Sequence, residues 1–213
     1  MKIRDIMTTN VVTVSSDTSI TDAGQIMRAH KIERLPIVDR GKLVGVVTKD
    51  DLLRVSPSPA TSLSIHEITY LLSKMKVKDV MKKDVVTAKP DMTVESAVAL
   101  AQGKKVGSLP VVEDGRVVGI VTTNDFFYKI LNPLLGIGEP GTRIKVNNCA
   151  EVKDIVKVYD VISKHNVKII TAGYIPHAEH GMRDLTIHID VEDVSKIVKE
   201  MSDLGYTVEI RER

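Results

Sequence analysis

Two threonine–aspartate pairs, each with three-residue spacing, are the residues of this chain best suited to binding chemistry. Thr48 and Asp51 occur in GVVTKDD, and Thr122 and Asp125 occur 74 residues later in GIVTTND. A Val-rich run typical of a strand ends at each threonine, and a helix is predicted to begin directly after it. The free amides of the helix N-terminus, a hydroxyl and a carboxylate would then face one space, which suits a phosphate and a ribose diol.

The same spacing also has a structural interpretation. A threonine at the N-cap, followed by an acid in the first turn, stabilises a helix start without any ligand. That interpretation would be favoured for one isolated motif. Repetition at a fixed distance, each time after a Leu-Pro strand, favours a binding site.

The constant separation extends over a whole structural unit. Asp5 and Pro36 also have counterparts 74 residues later, so one unit has been duplicated without insertion or deletion. Each copy predicts the order β-α-β-β-α: a short β-rich step, a helix with a one-sided apolar stripe, a hairpin and a second helix. Ser19 and Thr93 are the predicted N-caps of the first helix in each copy.

The rest of the chain divides by composition. We predict an α+β fold with a first repeat at 1–55, a loop and helical insert at 56–76, a second repeat at 77–131, a Pro- and Gly-rich linker at 132–141 and a further domain at 142–213. The insert carries a capping box at Ser64 and Glu67. The last domain has the pattern β-α-β-β-α-β, a ferredoxin-like arrangement. Its first helix is predicted to span Val152 to Asn166, with Val152, Ile155, Val156, Tyr159 and Ile162 forming an apolar stripe on one face.

Composition argues against several classes of function. The chain has 213 residues, a formal net charge of +2 and 3% aromatic residues. Charges are dispersed and stacking aromatics are scarce, so we expect no nucleic-acid binding. No apolar run reaches the length of a membrane span, and the N-terminus lacks the features of a signal peptide. With the single cysteine, Cys149, this leads us to expect a cytoplasmic protein without membrane association.

The first 131 or so residues resemble tandem CBS domains, the regulatory Bateman module. The resemblance lies in the motifs DIM and DVM, LPIV and LPVV, and the two G-x-x-T-x-x-D ends. It implies two repeats packed around an approximate twofold axis, with two clefts for adenosine-type ligands. Thr48 and Thr122 would contact phosphate or ribose, and Asp51 and Asp125 the ribose hydroxyls. The base pocket would be lined by Thr13, Ile32, Leu35, Pro36, Thr87, Val106, Leu109 and Pro110.

The two copies differ where the charge of a phosphate would be met. Arg34 in the first copy is replaced by Ser108 in the second. An arginine can form a fork-shaped contact to phosphate, which a serine cannot, so we expect two unequal clefts. The alternative is that Arg34 is solvated or pairs with Asp39.

The C-terminal domain resembles the ACT family of small-molecule sensors, and the combination is similar to the acetoin-utilisation type of CBS–ACT protein. The resemblance implies dimerisation through this domain. We therefore predict a homodimeric regulatory protein, without catalytic residues, metal or cofactor, that binds AMP, ADP, ATP, NAD or S-adenosylmethionine and signals to an enzyme or transporter.

Two alternatives remain open. One is a metabolic enzyme built on the loop that contains His177 and His180, whose H-x-x-H spacing could hold a metal ion. The other is an assembly module whose clefts are vestigial.

Overall fold

The chain forms two compact units. The computed structural model describes residues 1–55, 64–149, 151–176 and 183–211. The N-terminal unit comprises Met1–Phe126 and the C-terminal unit Phe127–Arg213. The two repeats and the helical insert therefore belong to the N-terminal unit, apart from the last residues of the second repeat.

The first repeat has the predicted helices and hairpin. Its elements are α1 (Ile20–His30), β1 (Arg34–Asp39), β2 (Lys42–Thr48) and α2 (Lys49–Arg54). The Ser19 hydroxyl accepts a hydrogen bond from the Asp22 amide at 3.0 Å, which confirms the predicted N-cap. The hairpin turns at Arg40 and Gly41, whose φ angles of 50° and 77° are those of a tight two-residue loop.

The insert and the second repeat continue the pattern. They form α3 (Ile65–Lys74), α4 (Val94–Gly103), β3 (Ser108–Glu113), β4 (Arg116–Thr122) and α5 (Thr123–Phe126). Thr93 caps α4, and Ser64 and Glu67 form the predicted capping box before α3. The predicted β-rich steps are reduced to single parallel bridges, from Val14 to Ile37 and from Ala88 to Val111.

The segment at the start of each repeat packs on the other repeat. We call these segments, residues 2–8 and 76–82, the leads. In the first lead the Ile3 amide donates to the Met92 carbonyl at 2.9 Å, and in the second the Val77 amide donates to the Thr18 carbonyl at 2.9 Å. Thr8 pairs with Ile120 and Lys82 with Val46. Each repeat is therefore completed by the other's lead, a relation that the sequence analysis did not anticipate.

Ion pairs and apolar packing reinforce the exchange. Arg4 pairs with Asp91, and Lys78 with Asp17 at 2.6 Å, which are equivalent positions in the two repeats. Val77 is fully buried in the core of the first repeat, together with Leu35, Ile37 and Val47. The two repeats thus form one folded body with an approximate twofold relation.

Glycine at the head of each G-x-x-T-x-x-D motif allows this close approach. A Cβ at Gly45 would lie 2.5 Å from Met81 Sδ and 3.0 Å from the Lys82 carbonyl oxygen. A Cβ at Gly119 would lie 2.5 Å from Met7 Sδ. Any larger residue would therefore push the exchanged lead away from the strand.

The C-terminal unit has the predicted element order β-α-β-β-α-β. Its strands and helices are β5 (Thr142–Val146), α7 (Val152–Ser163), β6 (Ile169–Pro176), β7 (Arg183–Ile189), α8 (Ser195–Asp203) and β8 (Val208–Arg211). The four strands form one antiparallel sheet in the order β6-β7-β5-β8. A single core joins the sheet to both helices through Ile144, Ile187, Val158 and Met201.

Two details of this unit differ from the sequence analysis. The segment predicted as a linker contains the helix α6 (Asn132–Leu135), which follows a π-helical turn at Phe127–Leu131. The carbonyl of Leu135 accepts a hydrogen bond from the Arg143 side chain, so this segment packs on β5. In α7, Val152 and Val156 are 75% and 52% exposed, and Val158 and Val161 are buried instead.

Candidate functional site

The two strand-to-helix junctions contain matching hydrogen bonds. Thr48 ends β2 and caps α2, and its hydroxyl donates to Asp51 Oδ2 at 2.6 Å. The Thr48 amide donates to the same oxygen at 2.9 Å. At the second junction the Thr122 amide and hydroxyl donate to Asp125 Oδ2 at 2.8 and 2.7 Å. The helix-capping interpretation therefore describes the contacts within both motifs.

The capping bonds of α2 use one oxygen, Oδ2, of the Asp51 carboxylate. Asp51 is 8% exposed, and its other oxygen, Oδ1, lies 3.9 Å from Lys82 Nζ. The Lys82 side chain is 67% exposed, so water weakens this ion pair. Helix capping and contact with a ligand are therefore compatible at Asp51.

The first cleft lies between the first junction and the opposite repeat. It has a volume of about 440 Å³. One side is formed by Thr48, Lys49, Asp50 and Asp51 at the start of α2. The other side comes from the second repeat and its lead, namely Lys82, Val85, Val86, Lys105, Val106, Gly107, Ser108 and Pro110. Neither repeat could form this cleft alone.

The second cleft has the reciprocal construction and a volume of about 490 Å³. Thr122, Thr123 and Asn124 from the second junction form one side. The other side comes from the first repeat and its lead, namely Thr8, Asn10, Val11, Val12, Lys31, Ile32, Glu33, Arg34 and Pro36. Each cleft therefore combines polar groups of one repeat with an apolar wall of the other.

The structure brings most of the predicted site residues into these clefts. The first cleft contains Arg34, Thr48, Asp51, Val106, Ser108 and Pro110, and the second contains Ile32, Arg34, Pro36 and Thr122. Within the described part of the chain, the remaining five lie outside both linings: Thr13, Leu35, Thr87, Leu109 and Asp125.

Strand geometry explains two of these five, Leu35 and Leu109. Successive side chains of an extended segment point to opposite sides. Leu35 and Leu109 are fully buried in the core, so the residues on either side of them face the clefts. Val12 and Val86 line the clefts in place of the adjacent Thr13 and Thr87.

Several lining residues were not predicted from the sequence. Lys82 ends the second lead, and Asn10 follows the first lead. Glu33 and Lys105 precede the Leu-Pro strands. The first cleft contains the cations Arg34, Lys49, Arg54, Lys82 and Lys105 and the acids Glu33, Asp50, Asp51 and Asp84. The second contains two cations, Lys31 and Arg34, and one acid, Glu33, among its described residues. The clefts are therefore unequal in their charged groups.

Arg34 does not pair with Asp39, the alternative that the sequence left open. Asp39 accepts a hydrogen bond from the Ser16 amide at 3.0 Å. Hydrogen bonding to Ser16, through its side chain and its amide, lowers the pKa of Asp39. Considering the described residues alone, no carboxylate lies within ion-pair distance of the Arg34 guanidinium.

Other features expected from the sequence bear on the alternatives. His177 and His180 lie outside the described residues. In the part of the chain that the structure describes, no group of three or more His, Cys, Asp or Glu side chains is arranged to hold a metal ion. None of the described helices combines the length and the apolar character needed to cross a lipid bilayer.

Two repeats, each of a helix, a hairpin and a second helix, exchange leads and enclose two shared clefts, which defines a duplicated module with composite clefts. Comparison with known families identifies it. The CBS domain model matches residues 3–58 and 77–132, more than half of the chain, and the chain belongs to this family.

Individual relatives agree with this assignment. The chain is 34% identical over 175 residues to inosine-5'-monophosphate dehydrogenase of Korarchaeum cryptofilum; the match covers 76% of this chain and 33% of the enzyme. The chain therefore spans about a third of that relative's length, and the enzyme's activity is not transferred by this match.

Two solved structures are similar to the N-terminal part of this chain. A protein assigned to acetoin utilization, AcuB of Vibrio cholerae, is 31% identical with a TM-score of 0.53, covering 66% of this chain and 98% of its own. The structure of CBSX2 in complex with AMP is 30% identical with a TM-score of 0.51, covering 62% of this chain and 96% of its own.

Proposed function

We propose that this protein is a regulatory sensor whose two clefts bind adenine nucleotides. The observation that carries the proposal is the composite construction of each cleft. Polar residues at the strand-to-helix junction of one repeat face an apolar wall from the other, in volumes of about 440 and 490 Å³. These volumes lie within the range of small-molecule sites.

The chemistry of the two sides matches the two ends of a nucleotide. Val86, Val106 and Pro110 form an apolar wall in the first cleft, and Val12, Ile32 and Pro36 form it in the second. Such walls suit the flat faces of a purine. Ribose and phosphate would lie against the junctions, where the nearby cations can donate hydrogen bonds to phosphate. The AMP complex of the similar CBSX2 supports this assignment.

We infer that the candidates are AMP, ADP, ATP, NAD and S-adenosylmethionine, and that binding regulates and does not catalyse. Ligand binding shifts a conformational equilibrium only by the difference between its affinities for the two states.

The C-terminal unit, which we propose to be ACT-like, would form a homodimer and pass the signal on. The recipient would be an enzyme or transporter in the cytoplasm. Light scattering of the full chain tests the dimer, and a monomer at micromolar concentration would contradict it.

A calorimetric titration tests the nucleotide assignment. The full chain is first screened with the five candidates by thermal shift, because a ligand specific for the folded state raises its stability. Those that respond are then titrated, and two ligands per chain are expected. Failure of all five to bind would contradict the proposal and would favour vestigial clefts.

Variants that fill one cleft assign each binding event. Val106→Trp places an indole on the apolar wall of the first cleft, and Ile32→Trp does so in the second. Each should reduce the stoichiometry to one, and the double variant to zero. Since the natural chain contains no Trp, emission from the new indole also shows whether each variant is folded. Glu95→Ala, an exposed acid at the start of α4, is the control and should bind two ligands. Two ligands bound to the folded double variant would place binding elsewhere.

A further inference from the structure

One arginine contributes to both clefts. Arg34 begins β1 and is half-buried, and it lines the first cleft as well as the second. Its counterpart in the second repeat, Ser108, lines the first cleft and carries no charge. The approximate twofold relation therefore fails at this pair of positions.

The position of the guanidinium explains how it reaches both sides. Arg34 Nη2 lies 2.7 Å from the point where a Cβ would stand at Gly107, so the guanidinium occupies the space beside this glycine. Gly107 lines the first cleft. Its carbonyl oxygen accepts hydrogen bonds from the amide and the hydroxyl of Thr123, both at 3.2 Å, and Thr123 lines the second cleft. The guanidinium therefore lies beside the backbone that separates the two clefts.

The charge of this arginine is available for an anionic ligand. Its planar group presents five N–H donors in a fork that matches phosphate oxygens. No carboxylate among the described residues pairs with it. The second cleft depends on it more strongly, because Lys31 is the other cation among that cleft's described residues, whereas the first cleft has four others.

We propose that Arg34 is shared between the two clefts and can form its fork with a phosphate in just one of them at a time. The first nucleotide bound then weakens the second, which is negative coupling between the sites. The proposal rests on nucleotide binding as proposed above and adds a regulatory property to it. Because binding free energies are linked, the effect must be reciprocal between the clefts.

Calorimetry with AMP and adenosine tests the sharing, because the two probes differ by the phosphate. The Ile32→Trp and Val106→Trp variants give the affinity of each cleft when the other is empty. The reference value is the affinity of the weaker of these two single clefts for AMP. In the natural chain, the second AMP should bind about tenfold more weakly than this reference, within the usual range for coupled sites. Adenosine should show no such difference.

Substitutions at the shared position separate the phosphate effect from other causes. Arg34→Ser, which copies the residue of the second repeat, should weaken AMP binding and abolish the coupling. Arg116→Ser is the control, because Arg116 is exposed and lies outside the described linings of both clefts. Glu33 and Ser108 are the counterparts of Gly107 and Arg34 in the other repeat. The double variant Glu33→Gly, Ser108→Arg therefore adds a second arginine with a glycine beside it. Each cleft would then have its own arginine, and the logarithm of the coupling factor should fall to less than half of its natural value.

The outcomes distinguish this inference from the function on which it rests. If AMP binds two clefts independently, or if coupling persists in Arg34→Ser, the sharing of Arg34 is refuted while nucleotide binding stands. Equal coupling for adenosine and AMP would also refute it. If neither probe binds and no other candidate nucleotide does, both proposals are refuted.

Discussion

Replacement of Asp51 by alanine should destabilise the N-terminal unit even without ligand. The carboxylate accepts two hydrogen bonds from Thr48, at 2.9 and 2.6 Å, and is 8% exposed. Hydrogen bonds to a charged group contribute roughly 1.5–3 kcal/mol each. When the side chain is removed, water can accept hydrogen bonds from the freed Thr48 donors, which offsets part of the loss. We therefore expect Asp51→Ala to lower the free energy of unfolding by about 2–4 kcal/mol.

Asp50→Ala is a matched control for this substitution. Asp50 also lies in the first turn of α2 and is exposed, so it shares the favourable position on the helix dipole. Among the hydrogen bonds of the described residues, those that Thr48 donates go to Asp51 and none goes to Asp50. Replacement of Asp50 should cost about 0.3–1 kcal/mol. The comparison isolates the capping bonds from the general effect of an acid at a helix start.

Native-state hydrogen exchange is the appropriate assay, because it reports the stability of each unit separately. The amide of Val47, a fully buried residue of β2, serves as the probe. A loss of 2–4 kcal/mol corresponds to a reduction in protection of roughly 30- to 800-fold. If the Val47 amide is protected as strongly in Asp51→Ala as in Asp50→Ala, the cap does not stabilise the fold.

Two further predictions concern packing and pH. Gly45→Ala places a methyl group 2.5 Å from Met81 Sδ and should destabilise the N-terminal unit by about 1–3 kcal/mol in urea unfolding. Gly103→Ala is the control, because a Cβ there has nothing within 4 Å, and it should not destabilise the unit. Equal stability of the two variants would contradict the exchange of leads. In the C-terminal unit, burial and the hydrogen bond to Asp154 raise the pKa of Tyr206 to about 12. An unfolded tyrosine ionises near 10, so the unfolded state releases a proton that the folded state retains, and stability falls as the pH rises from about 10 to 12. Urea unfolding should show a steeper decline for the natural chain than for Tyr206→Phe over this interval, and parallel curves would count against this role.

Local sequence signals predicted the elements of the fold well. The duplication, the hairpins, the caps at Ser19 and Thr93 and the order of the C-terminal elements depend on neighbours in the chain. These features were therefore visible in spacing and residue type. The junction motifs were also located correctly, because strand end, cap and acid are consecutive in sequence.

The features that depend on distant packing were not predicted. The exchange of leads pairs Val77 with the first repeat, and no local pattern records which repeat a lead will contact. The interior glycines Gly45 and Gly119 were the available signal, since a glycine within a strand often marks a close backbone approach. The exposure of Val152 and Val156 has a similar cause: periodicity defines an apolar stripe, but the packed partners decide which part of it is buried.

In the proposed function, both repeats hold each nucleotide at once. Amide chemical shifts of the isotopically labelled full chain, followed during titration with AMP, test this directly. Shifts are expected at Lys49 and Asp51 together with Val106, and at Thr123 and Asn124 together with Ile32. Shifts confined to one repeat, or to the C-terminal unit, would contradict it.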